Sequence, residues 1–309
     1  MIRPALALLA LTTGLILAQP AMAADKVSPI QFQSRTLANG LQVLTSVDRT
    51  TPNVTVQVWY GVGSKDDPQG RSGFAHLFEH MMFKATRDLP SESIDRMTED
   101  VGGNNNASTY DDFTNYYEVV PAHHLERLIW VESQRLGSLV VDEATFKSER
   151  DVVKEELRQR ILASPYGRLF GLYLPQATYQ VHPYKRPGIG SIEELDAATI
   201  DDVRAFHRAY YRPDNAALIV VGNFDEAQLQ AWVDKYMAPL AAPAEPIARV
   251  TAKEPARTAP VGSTATAASA VSSSSLSTRP LATFRLDSSK NAGSTALACT
   301  SPPASRPYT

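Results

Sequence analysis

Two hydrophobic rhythms run along this chain. Residues 32–37 and 41–47 are strand-like runs on either side of Asn39-Gly40, a dipeptide that favours a tight hairpin. Residues 54–60 alternate valine, tryptophan and tyrosine with polar positions and stop at Gly61. After the turn-forming run Gly102-Gly103-Asn104-Asn105-Asn106, residues 107–120 are rich in threonine, aromatic and valine positions and predict one further strand. Residues 217–222 are continuously apolar, as expected of a strand buried on both faces.

Between these runs the spacing changes to that of helices. Residues 73–83 form one such stretch, and Ser91 is placed to cap a helix over 91–101. Leu125, Leu128, Ile129, Val131, Leu136 and Leu139 fall on one face over 122–139. Further helices are predicted over 142–162, 165–176, 191–211 and 226–237, the last capped by Asp225. Strands and helices interleaved in this order predict an α+β domain, with a mixed or antiparallel sheet covered by helices.

Both ends break the pattern. Residues 1–23 carry Arg3, an apolar run over 5–18 and the small-residue site Ala21-Met22-Ala23, which together predict a cleaved secretory signal peptide. The apolar run is too short for a membrane span. From Pro243 the composition turns to Ala, Ser, Thr and Pro, with Ser272 to Ser275 in a row. Residues 241–309 are therefore expected to be a disordered tail, and the abrupt change suggests a truncated or frame-shifted remnant.

Overall composition excludes little except extremes. The 309 residues are 43% hydrophobic and 20% charged, with a formal net charge of -3 that carries no basic footprint for nucleic acid. Removing the leader takes away Arg3 and no acid, so -3 becomes -4 in the mature chain. Cys299 is the only cysteine, which rules out an internal disulfide framework and leaves histidine and carboxylate as metal donors. The leader points to a periplasmic address.

The chemistry is concentrated in Gly73-Phe74-Ala75-His76-Leu77-Phe78-Glu79-His80-Met81-Met82-Phe83. On a helix, His76 and His80 lie one turn apart on the same face, and Glu79 projects to the same side. Two neutral imidazoles suit zinc, and a carboxylate beside them can take a proton from water. This H-x-x-E-H order is the inverted zinc-hydrolase signature. A third ligand has to come from elsewhere. On the 142–162 helix Glu149 and Glu156 are two turns apart on one face, whereas Glu155 points about a hundred degrees away. His123 and His124, at the start of the 122–139 helix, read as a surface cap.

With these pieces in order, the chain resembles the pitrilysin/insulinase-type zinc peptidases, in the branch similar to the mitochondrial processing peptidase. The resemblance runs from Asn39-Gly40-Leu41 through the His76 helix and Asn106-Ala107. It continues through the acidic run Glu149 to Glu156, Tyr211-Arg212-Pro213-Asp214-Asn215 and Val220-Val221-Gly222-Asn223-Phe224-Asp225. It implies one Zn2+ per chain held by His76, His80 and Glu156, with Glu79 as general base. It also implies Glu149 as a catalytic residue supporting the site from close by, and Asn106, Ala107 and Ser108 as the strand that pairs with a peptide substrate. Residues 24–240 are then the catalytic N-terminal domain. Members of the family have two similar halves, and the second supplies further substrate-gripping residues. Here no second half follows, so a partner subunit is expected to supply it.

The resulting expectation is a periplasmic zinc endopeptidase acting on peptides or unfolded proteins. The alternative is an inactive or partner-dependent half-subunit that acts as a binding module. A lyase of the S-ribosylhomocysteine type shares a similar H-x-x-E-H helix, but it needs a cysteine ligand near the motif and a cytoplasmic address. Neither is present in this reading.

Overall fold

The computed structural model describes residues 29–256 and, further on, the backbone of three strands. Phe32–Thr309 forms one unit; of the other, Met1–Gln31, only residues 29–31 are described, so the expected leader lies outside the described residues.

Six strands build the main sheet: β1 Gln33–Thr36, β2 Gln42–Val47, β3 Asn53–Tyr60, β4 Asn104–Thr109, β5 Thr114–Pro121 and β6 Ala216–Gly222. Their order across the sheet is β1-β2-β6-β3-β5-β4. Only β2 and β6 run parallel, and every other pair is antiparallel. The Asn39-Gly40 turn joins β1 to β2 as predicted, with Gly40 at φ 89°. Its Cβ, were there one, would lie 2.5 Å from that of Asp214.

The helices are α1 Phe74–Met81, α2 Ser93–Glu99, α3 Leu125–Ser138, α4 Glu143–Glu156, α5 Leu174–Thr178, α6 Ile192–Asp196, α7 Ile200–Tyr210 and α8 Glu226–Tyr236. All but α2 and α5 contribute side chains to one core with a face of the sheet. Val54, Val56, Val58 and Tyr60 of β3 alternate into that face, as do Tyr116 and Val120 of β5 and Leu218 and Val220 of β6. Phe74, Leu77, Phe78 and Met81 of α1 and Leu229 and Val233 of α8 meet them. Each such side chain contributes about 1.5–3 kcal/mol by leaving water. The expected α+β class, a sheet covered by helices, is the architecture observed.

One buried position in β5 is charged. Glu118 faces Arg135 of α3 at 3.1 Å, and Glu132 lies 3.2 Å from the same guanidinium. Arg135 is fully buried, 5.2 Å from the ring centre of Phe83 and 4.9 Å from that of Tyr116. Burial, and then the charge of Glu132, pushes the Glu118 carboxyl well above its usual range.

Several predicted boundaries are corrected. The single strand expected over 107–120 is a hairpin, β4 and β5, that turns at Asp111-Asp112; Tyr110 N–H donates to Phe113 O across the turn at 2.9 Å. Aspartates favour turns, and the aromatic content around them masked the break. The first cap of α2 is Glu92 at φ 64°, not Ser91. The helix expected over 191–211 is two. Ser191 caps α6, and Thr199 forms a reciprocal capping box with Asp202 that starts α7. The helix expected over 142–162 leaves α geometry after Glu156 and continues as a π-helix over Leu157–Leu162.

Part of the expected disordered tail is described. Arg212 donates to Glu245 O at 2.8 Å and to Pro243 O, and Arg249 donates to Gly61 O at 2.8 Å. The Glu254 carboxylate accepts the main-chain N–H groups of Gln180, Val181 and His182. Three charged side chains thus pin 241–256, an effect that composition does not reveal. Beyond it, β7 Gly262–Ala265, β8 Ala282–Asp287 and β9 Ala296–Thr300 pair as an antiparallel sheet. The rest of 257–309 lies outside the described residues.

Candidate active site

The site begins with how α1 is held. Its first residues offer N–H groups that no helical carbonyl can take. Asp67, from the preceding loop, accepts Gly73 N–H at 2.7 Å and Ala75 N–H at 2.9 Å, while Glu194 accepts Ser72 N–H at 2.6 Å. Negative charge at a helix N-terminus is favourable. Burial nevertheless pushes the Asp67 carboxyl up to about 7, against the pull of the Ala75 and Gly73 N–H groups. Gly73 itself has φ 92°, and a Cβ there would lie 2.8 Å from Ile189 O, so only glycine fits.

With Phe74, Ala75, Leu77, Phe78 and Met81 buried, α1 leaves His76, Glu79 and His80 facing a cavity of about 710 Å³. The two imidazole rings stand perpendicular with centres 4.9 Å apart. Opposite them is α4, started by Asp142, whose carboxylate accepts Thr145 N–H at 2.9 Å. Glu156, at its last position, brings Oε2 to 3.5 Å from His76 Nε2 and 3.3 Å from His80 Nε2. Glu155 faces outward, paired with Arg158 and Gln159. Geometry therefore separates the two neighbouring acids.

Glu149 sits one step behind. Its Oε2 lies 3.7 Å from His80 Nδ1 and its Oε1 3.1 Å from Lys84 Nζ. Burial raises its pKa, but His80 and Lys84 together outweigh that and leave the carboxyl below its ordinary value. The other oxygen of Glu156 is 2.7 Å from Arg160. Glu79 accepts a hydrogen bond from Thr109 Oγ1 at 2.6 Å. Burial raises the Glu79 pKa, and Thr109 opposes the rise through its hydroxyl and main-chain N–H.

The donor set fits a zinc ion. Two imidazole nitrogens and a carboxylate oxygen lie within 4.8 Å of one another. Ligands about 2.0–2.1 Å from a tetrahedral centre stand roughly 3.3 Å apart, close to the two separations to Glu156 Oε2. A ligating histidine must also be neutral. Burial, reinforced by His80, pushes His76 down to about 4, and its buried Nδ1 has no protein partner. Glu149 beside His80 Nδ1 favours the tautomer that leaves Nε2 free to ligate.

The cavity's far wall is β4, the last strand of the sheet, with Asn106, Ala107, Ser108, Thr109 and Tyr110 all lining it. From the Tyr110–Phe113 bond, antiparallel alternation turns the main-chain groups of Asn105, Ala107 and Thr109 away from β5. Ala107 N–H is met by Asn106 Oδ1 at 2.8 Å. The structure thus gathers His76, Glu79, His80, Glu149, Glu156 and the Asn106-Ala107-Ser108 segment around one cavity. His123 and His124 are not among its lining residues, and His124, at the cap of α3, makes no side-chain capping bond. Lys84, Thr109 and Arg160 line the cavity, and Asp67 holds the start of α1, without having been read from the sequence as site residues. For Lys84 and Arg160 helical spacing from His80 and Glu156 was an available signal.

Comparison with known proteins agrees with this geometry. A family model described as Insulinase (Peptidase family M16) matches residues 42–191, and one described as Peptidase M16 inactive domain matches 197–276. A curated relative, the zinc protease PqqE of Helicobacter pylori, is 36% identical over 200 residues, covering 64% of this chain and 45% of that protein. A crystal structure of a protease from Helicobacter pylori aligns with TM-score 0.71 and 34% identity, covering 74% of this chain and 55% of the other. The first half of the periplasmic protease PqqL from Escherichia coli aligns with TM-score 0.64 over 71% of this chain and 48% of the other. At 24% identity that likeness speaks for the fold alone. The chain spans about half the length of the curated relatives it matches, 45% in the Helicobacter case. With one family model spanning the cavity residues and the second following it along the chain, the chain belongs to the insulinase family of peptidases, M16.

Proposed function

We propose that this protein is a zinc-dependent endopeptidase that hydrolyses peptides or unfolded proteins in the periplasm. The observation that carries the reading is the convergence of His76 Nε2, His80 Nε2 and Glu156 Oε2 beside Glu79, in a cavity walled by an edge strand. One Zn2+ held there would supply Lewis acidity, easing deprotonation of water towards neutral pH and polarising a carbonyl oxygen. Glu79 takes the proton of the attacking water and passes it to the leaving amine. Glu149 fixes His80 through Nδ1, and Lys84 keeps Glu149 ionised.

A peptide aligns on Asn106, Ala107 and Ser108 as an added strand, which gives main-chain affinity without demanding one sequence. The Asn106 amide that caps Ala107 N–H gives way to a substrate carbonyl. The leader-like residues 1–23 support a periplasmic address. No helix among the described residues is long and apolar enough to cross a membrane.

The test is cleavage of a quenched peptide by the purified mature chain, with and without chelator. Glu79→Gln is expected to keep zinc and lose cleavage; Glu156→Gln is expected to lose the zinc. Full activity in zinc-loaded Glu79→Gln would remove Glu79 from its role. A second reading takes the exposed edge of β4 as a peptide-binding surface alone. Under it the chain acts as a binding half, and cleavage emerges only when a partner subunit is added.

A further inference from the structure

We infer that Thr109 is a positioning residue, whose hydroxyl holds the Glu79 carboxylate in the orientation for proton transfer and ties it to the strand that aligns the substrate. The inference rests on Glu79 being the base. Its ground is geometric: Thr109 Oγ1 donates to Glu79 Oε2 at 2.6 Å, across 30 residues of sequence. A glutamate carboxylate can turn about several bonds. Anchoring one oxygen fixes its plane and leaves the other to meet the proton.

The anchor is itself immobile. Thr109 is the last residue of β4 and pairs with Thr114 of β5, whose hydroxyl donates to Val62 O at 3.0 Å. One residue on, Tyr110 N–H is bonded to Phe113 O, and Tyr110 O accepts Ser64 N–H at 3.0 Å. The strand end is therefore fastened from two sides. Asn106, Ala107 and Ser108 immediately precede Thr109, so the distance from the substrate strand to the base is set by three rigid residues. A substrate displaced along β4 would sit out of register with Glu79, which makes alignment a condition for catalysis.

Because the hydroxyl donates to the carboxylate, Thr109 does not itself receive the proton, and its loss acts through Glu79. Thr109→Val keeps the β-branched shape that a strand favours and removes only the donor; Thr109→Ser keeps the donor. In the zinc-loaded mature chain, Thr109→Val is expected to lower kcat about 100-fold, the scale of a misplacement near 1 Å. KM and zinc content are expected to stay at the parent's values, as for an interaction made only in the transition state. Thr109→Ser should restore most of the loss, and Thr109→Val added to Glu79→Gln should cost nothing more.

A crystal structure of metal-loaded Thr109→Val should show the Glu79 carboxylate turned from its parent position. An unchanged kcat, a pure KM effect, or a serine variant as slow as the valine one would overturn the inference. A parent chain that cleaves no peptide would defeat the endopeptidase reading instead. In that event the crystal structure still decides, because an unmoved Glu79 carboxylate sinks the positioning role by itself.

Discussion

His207 offers a quantitative test of how this core handles charge. Its imidazole stacks on Phe78 with centres 5.6 Å apart and on Tyr211 at 5.9 Å, and its buried Nε2 has no partner. Burial, with Arg208 nearby, pushes its pKa down from 6.5 to about 4. Below the unfolded value the unfolded chain binds a proton that the folded chain refuses, so stability falls as pH drops from 6.5 towards 4. The interval corresponds to about 3 kcal/mol. His207→Phe keeps a flat ring for the stack and removes the titration.

Urea unfolding of the chelator-treated mature chain, from about pH 7.5 to about pH 4.5, reads the difference directly. The parent should lose stability over this window by about 3 kcal/mol more than His207→Phe. Chelation matters because metal bound to the folded state would add its own pH dependence. His76 is depressed in the same way, but it is present in both proteins and cancels. Parallel curves for the two proteins would refute the burial argument.

Two further predictions concern charges around the site. Glu149→Gln removes the anion between His80 and Lys84 and should weaken zinc binding about 10- to 100-fold in chelator competition; unchanged affinity would leave Glu149 without a supporting role. Arg135→Met strips the buried cation from Glu118 and Glu132 and should cost about 3–5 kcal/mol in urea unfolding at neutral pH. A loss below about 1 kcal/mol, as for an exposed pair, would show that the two acids are not held by that guanidinium.

What could be read from the sequence divides along physical lines. Strand β3 was legible because Val54, Val56 and Val58 alternate with polar residues and its inner face is buried. The candidate donors were legible in part, because helix phase puts His76, Glu79 and His80 on one side of a helix and Glu149 with Glu156 on one face of another, while the choice of Glu156 as third ligand came from the resemblance. The β4–β5 hairpin was not, since Asp111-Asp112 turns the chain within a stretch whose threonines and aromatics favour strand throughout. The split between α6 and α7 was hidden because Thr199 and Asp202 are acceptable inside a helix and reveal a cap only when paired. Asp67 and Thr109 were invisible as site residues. They act through tertiary approach, and no local spacing links Asp67 to Ala75 N–H or Thr109 to Glu79.

The division of labour between the two cavity carboxylates off the metal-binding set follows from what touches each. Glu149 is gripped on both oxygens, by Lys84 and towards His80, and these neighbours keep it ionised despite burial. A carboxylate so engaged has neither a free oxygen nor the basicity to carry a proton. Glu79 is held by Thr109 Oγ1 through Oε2, and burial raises its pKa. Under the proposed hydrolytic reading, environments that push two nearby acids in opposite directions suit Glu79 to proton transfer and Glu149 to support. Exchanging their surroundings, by giving Glu79 a lysine partner or removing Lys84 from Glu149, would erase that distinction without touching either carboxylate.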